Sequence, residues 1–242
     1  MSFIVLVVAA ALSAGAIASV AGFGIGALLT PTFSTGMTLE LAVAAAAVPH
    51  AAGTLVRFWT LRRHLDRTIL LSFGATSAIG GLAGAVLHSY ASNPILRFTF
   101  ALLLIFSGLS GLSGLSRRMR FRGAGAWIAG GVSGMFGGLV GNHGGIRAAA
   151  MLGLDIPRDQ FVATATAIAL IVDMARLPIY FAAESREIAA IWPLISLATL
   201  GTILGTLAGA RILSRIPPLL FYRLVSMLVL LVGLAMLASW IA

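Results

Sequence analysis

The 242-residue chain has no cysteine, which excludes disulfides and thiolate chemistry and leaves the redox compartment open. It has no lysine either; all sixteen basic residues are arginine, so no glycine-rich stretch is followed by the lysine of a phosphate loop. Charge is scarce, at ten per cent of residues, and only seven of those residues are acidic, so little polar surface is left for a soluble domain. Four scattered histidines with no cysteine do not give metal-ligand spacing, and no metal or other cofactor is expected.

What remains is apolar. Sixty per cent of the residues are hydrophobic and the mean hydropathy is +1.05, the composition of a membrane protein. Uncharged runs at Thr68–Leu87, Phe98–Ser116, Ile188–Ala210 and Leu224–Ala242 approach or exceed the roughly 18 residues that mark a membrane span. The net charge of +9 sits on arginines in short loops between these runs, where it reads as a topology signal and not as a nucleic-acid footprint. The N-terminal run lacks the basic region of a signal peptide and has an internal counterpart at 124–138, so it is read as part of the fold.

Two glycine-rich stretches interrupt long apolar segments: GFGIGALLTP, Gly22–Pro31, and GNHGGIRAAA, Gly141–Ala150. Each glycine costs roughly 1 kcal/mol in a helix interior, so Gly22, Gly24 and Gly26 together predict a break in the helix. Inside a membrane such a break survives only where protein or a water-filled cavity satisfies the freed backbone groups. A pair of breaks at matching places in two halves points to a transporter's binding site.

The halves do match. A shift of 119 positions carries Gly22 onto Gly141, Gly26 onto Gly145 and Arg57 onto Arg176, and a shift of 121 carries Gly80 and Gly84 onto Gly201 and Gly205. The first repeat is 1–116, with a broken segment Phe3–Leu39 followed by Leu41–Leu61, Thr68–Leu87 and Ile95–Ser116. A basic cytoplasmic linker, 117–123, joins it to the second repeat, 124–242, with the broken segment Ala124–Leu154 and then Gln160–Ala183, Ile188–Ala210 and Pro218–Ala242. Pro49, Pro178 and Pro193 fall inside spans and predict kinks. If each broken segment is a hairpin returning to its starting side, Arg62, Arg63, Arg67, Arg117, Arg118, Arg120, Arg122, Arg158, Arg211 and Arg215 share the cytoplasmic face, while Glu40, Glu184 and Glu187 lie opposite with Arg186. That arrangement obeys the positive-inside rule and inverts one repeat relative to the other. The expected fold is an all-α polytopic membrane protein of two inverted repeats, each a glycine-broken hairpin plus three transmembrane helices.

Polar residues inside the spans are expensive and so informative. Arg57 lies roughly 6 Å inside its span at 1.5 Å per residue, and either snorkels to the surface or turns inward; His50, two turns earlier, shares its face, with Thr54 between them. Asp173 and Arg176 are three apart and share a face, either as a structural ion pair or as functional groups. At the second break, Asn142 and His143 stand among Gly141, Gly144 and Gly145, with Arg147 following. Free N–H groups at a broken helix favour an anion. His64 and His88 read as loop residues.

These features resemble the sulfite exporter TauE/SafE family, also called the toluene sulfonate uptake permeases. The resemblance covers nearly the whole chain, through the duplication, the glycine motif leading to Pro31, its repeat at Gly141, and the residues around Arg57 and Gly80–Gly84. The chain departs from the family pattern at Ala150, where proline is usual, at Asn142–His143, and at Ile25 within the first glycine cluster. The resemblance implies a transporter of sulfur-containing anions, such as sulfite, thiosulfate or organosulfonates, in the cell inner membrane.

The expectation is therefore a secondary transporter working by alternating access, and no enzyme. Substrate would meet Gly22, Gly24, Gly26, His50, Arg57, Gly141, Asn142, His143, Gly144, Gly145, Arg147 and Arg176, with Asp173 in coupling. Expected partners are a small anion, the lipid bilayer and a coupling proton, and no nucleic acid. The alternatives are an anion channel or an accessory subunit of a membrane complex.

Overall fold

The computed structural model describes residues 2–91, 93–115, 123–141, 147, 151, 157–213 and 218–241. Asn142, His143, Gly144, Gly145 and residues 117–122 of the expected linker lie outside the described residues. The described elements are helical, and five helices are long and apolar enough to cross a membrane: Leu39–His64, Arg67–Tyr90, Pro94–Ser113, Gln160–Ala183 and Trp192–Gly209.

Helix α1, Ser2–Ala21, ends where the glycines begin. Gly22 and Gly24 have φ of 81° and 125°, values that side chains with a Cβ rarely adopt, and α2, Ile25–Ser34, restarts after them. Thr38 caps α3, Leu39–Leu61, by accepting from the Leu41 N–H at 3.4 Å. Asp66 caps the short α4, Arg67–Ile69, which passes through a π-turn at Leu70–Gly74 into α5, Ala75–Tyr90. Helix α6, Asn93–Ser113, closes the first half.

The second half repeats the order. Helix α7, Ala124–Val140, stops at Gly141, whose φ of 73° gives the left-handed C-cap. Helix α8, Arg158–Ala183, is followed by a one-turn α9, Ser185–Ala190, then α10, Trp192–Leu213, and α11, Pro218–Ile241. Pro49 and Pro178 lie inside α3 and α8 as expected. Pro193 corrects the sequence reading: the segment expected from Ile188 is divided at Ile191, and this proline stands in the first turn of α10, where it costs no helical hydrogen bond.

Packing follows the duplication. The most extensive helix contacts are α5 with α7, α1 with α10, and α6 with α11; α3 packs on both α8 and α10, and α8 on α5. Exchanging each helix for its mate in the other half turns α1–α10 into α7–α5, turns α3–α10 into α8–α5, and leaves α6–α11 and α3–α8 unchanged. The halves are thus interleaved. Small residues make this possible: a methyl group on Gly80 or Gly84 would run into the carbonyls of Gly131 or Met135 on α7, and one on Gly15 or Gly205 would do the same between α1 and α10. Around this core, large apolar side chains such as Leu71, Ile79 and Ile128 are exposed, which suits a surface facing acyl chains.

Candidate functional site

The two breaks meet inside the protein. Gly26, in the first turn of α2, lies so close to the Gly141 carbonyl oxygen that a methyl group there would collide with it and stand 3.9 Å from the His50 ring. A methyl on Gly141 would stand 3.4 Å from Arg176 Nη1 and 3.6 Å from Thr30 Oγ1. Close approach of backbone to backbone therefore requires glycine at this junction, as well as at the left-handed positions.

Asp173 is the centre of the polar cluster. It is completely buried, and its Oδ2 accepts from His50 Nδ1 at 2.6 Å while Oδ1 accepts from Arg176 Nε at 3.0 Å and Nη2 at 2.7 Å. The pairing with Arg176 follows from a spacing of three on one helix; the bond to His50 spans 123 residues of chain. Arg176 Nη1 donates to the Gly137 carbonyl at 2.9 Å, and its guanidinium lies 5.7 Å from the centroid of the Tyr180 ring. The Tyr180 hydroxyl donates to the next carbonyl, that of Gly138.

Arg57 does not snorkel. It is 4 % exposed, donates Nη1 to the Ala18 carbonyl at 2.6 Å and Nε to Thr166 Oγ1 at 2.9 Å. Ala18 and Gly137 correspond under the shift of 119, so the two matching arginines make the same bond in the two halves. Each carbonyl also accepts the N–H of the left-handed glycine four residues on, Gly22 at 3.0 Å and Gly141 at 3.1 Å. An arginine thus sits at the negative end of each interrupted helix, where a cation is favoured.

Arg147 is 3 % exposed and donates Nη1 to the Ala165 carbonyl at 3.1 Å, while its Nε and Nη2 have no partner among the described residues. It feels the charges of Asp173, Arg57 and Arg176, so these groups form one electrostatic cluster. Three buried guanidiniums face one buried carboxylate, which leaves two positive charges uncompensated among the described residues. Thr30 Oγ1 and Thr54 Oγ1 are buried there without a partner as well.

Of the expected site residues, the fold gathers Gly26, His50, Gly141, Asp173 and Arg176 at the junction, ties Arg57 and Arg147 electrostatically to that cluster, and uses Gly22 and Gly24 to turn the chain. His88 is corrected: it is no loop residue but 2 % exposed within α5, with Nδ1 donating to the Leu139 carbonyl at 2.7 Å and its ring 4.9 Å from that of Tyr180. Sequence reasoning missed Thr30 and Tyr180, and set Thr54 between His50 and Arg57 without placing it in the site. Tyr180 is one turn beyond Arg176, and Thr54 falls on Asp173 at the repeat spacing, so the last two carried a readable signal.

The long apolar helices and their apolar exterior define a multi-pass membrane protein. Residues 7–236 match the sulfite exporter TauE/SafE family. The chain belongs to that family of membrane transporters. No curated protein and no solved structure matches it significantly.

Proposed function

We propose that the protein is a secondary transporter carrying a small anion, a sulfur oxyanion or organosulfonate, across the cell inner membrane by alternating access. The observation that carries this reading is the surplus of buried positive charge among the described residues. Burying an ion without a partner costs several kcal/mol even after relaxation, and Nε and Nη2 of Arg147, in the same cluster, have no partner among the described residues. A fold that held these cations only for stability would be better served by apolar side chains of the same volume. An anion that enters and leaves accounts for both the charge and the unused donors.

Alternating access is supported by the interleaved duplication and by the charge distribution along the chain. An inverted pair of repeats offers two similar arrangements of the same contacts, one open to each side. The His50–Asp173 pair stands beside the cationic cluster, where a proton on the imidazole would change the charge available to the anion.

The test is counterflow in proteoliposomes loaded with unlabelled sulfite, thiosulfate or methanesulfonate. Saturable uptake of the labelled anion, accelerated by the same anion inside, is expected, and Arg147→Gln should reduce it by at least tenfold. A steady single-channel current without counterflow would contradict the carrier. Absence of flux for every anion tried would contradict the transporter.

A further inference from the structure

The two halves treat their matching arginines differently. Arg57 and Arg176 each donate Nη1 to the carbonyl four residues before a left-handed glycine, in one and the same frame. One turn before Arg176 stands Asp173, whose carboxylate receives the guanidinium Nε and Nη2. One turn before Arg57, at the repeat spacing from Asp173, stands Thr54. Its side chain is completely buried and its Oγ1 has no partner among the described residues. Arg57 Nε turns instead to the Thr166 hydroxyl, and its charge meets no carboxylate at ion-pair distance among the described residues. Arg147, whose Nε and Nη2 have no partner among the described residues, feels the Arg57 charge.

We propose that the transported anion binds beside Thr54, its oxygens displacing the Thr166 hydroxyl from Arg57 Nε and taking at Arg57 the place that Asp173's carboxylate takes at Arg176, with the Thr54 hydroxyl and Arg147 as further donors. This rests on the anion-transporter reading and gives it an address. The ligand class follows from the same comparison. A guanidinium fork is matched by two oxygens on one central atom, and the two buried cations uncompensated among the described residues are matched by a dianion. Small dianionic oxyanions should therefore bind more tightly than monoanionic sulfonates or carboxylates. The asymmetry also has a purpose: the carboxylate of Asp173 is fixed in the chain, whereas a hydroxyl at the matching position leaves Arg57 a counter-ion that can be exchanged.

The experiment installs the missing carboxylate. Purified wild type and Thr54→Asp are unfolded thermally with and without sulfite, thiosulfate, sulfate and methanesulfonate, in a buffer alkaline enough to keep sulfite doubly ionised, so that the first three serve as dianion probes. Wild type should gain stability from a dianion, more than from methanesulfonate at equal concentration. Thr54→Asp should be folded, with an anion-free Tm at or above that of wild type, and should lose the anion-dependent shift. Thr54→Ser should bind within about threefold of wild type, and Thr54→Val about tenfold more weakly, the loss of one charge-assisted hydrogen bond. An undiminished shift in Thr54→Asp overturns the address while leaving the transporter reading intact. If that variant does not fold, wild-type affinity in Thr54→Val overturns it equally. A wild type that responds to no anion overturns the reading and the address together.

Discussion

Replacing Asp173 with asparagine separates charge from shape at the centre of the fold. Asparagine keeps the volume and one acceptor, so Arg176 retains a hydrogen bond. The amide nitrogen, however, meets the N–H of His50, which in the native protein donates to the carboxylate at 2.6 Å. The imidazole must change tautomer or lose its partner, and the only buried carboxylate among the described residues no longer offsets three buried guanidiniums. Removing one member of a buried ion pair costs about 3–5 kcal/mol. At about 2–4 °C per kcal/mol for a chain of this size, the Tm should fall by about 6–20 °C. The four tryptophans provide the signal for thermal unfolding in detergent micelles. Asp173→Asn should recover part of the loss when Arg176→Gln is added, because the second change removes a charge that the first left unpaired. A fall of less than about 2 °C, or strictly additive losses in the double variant, would refute the reasoning.

Gly26→Ala should destabilise by about 1–3 kcal/mol, the usual cost of overpacking, and should depress counterflow more than stability, since its Cβ pushes the two breaks apart at the Gly141 carbonyl. Gly141→Ala should cost about 1–2 kcal/mol for a left-handed residue, read by the same unfolding assay. Glu184 lies outside the spans, and partial burial, with Glu187 and Glu40 nearby, pushes its carboxyl up from the ordinary 4.5. The folded state then holds the proton more tightly than the unfolded state, so Glu184 opposes folding above its raised pKa and the opposition fades as pH falls through it. Glu184→Gln should accordingly raise the Tm slightly at pH 7 and leave it unchanged well below that pKa.

The breaks were legible because glycine is costly in a helix and has few other reasons to cluster. The Asp173–Arg176 contact was legible because it is local. The repeat spacing proved more informative than its use in the sequence reading: it relates the Ala18 and Gly137 carbonyls that receive Arg57 and Arg176, and it sets Thr54 against Asp173. The bond between His50 and Asp173 was not legible, since nothing in either local sequence specifies a partner 123 residues away. His88 was misread for a related reason. Its place near the end of an apolar run suggests a loop, but the close glycine-mediated packing of α5 on α7 carries it inside, against Leu139 and Tyr180.

If the positive surplus buried among the described residues serves to hold an anion, the purified protein must bind one. Isothermal titration of the purified protein with sulfite, thiosulfate, sulfate and methanesulfonate tests it most directly, with wild type and Arg147→Gln compared at constant ionic strength. Saturable binding of one anion per chain is expected in wild type, and at least tenfold weaker binding in a folded Arg147→Gln. No saturable binding by any of these anions, or unchanged affinity in the variant, would contradict it.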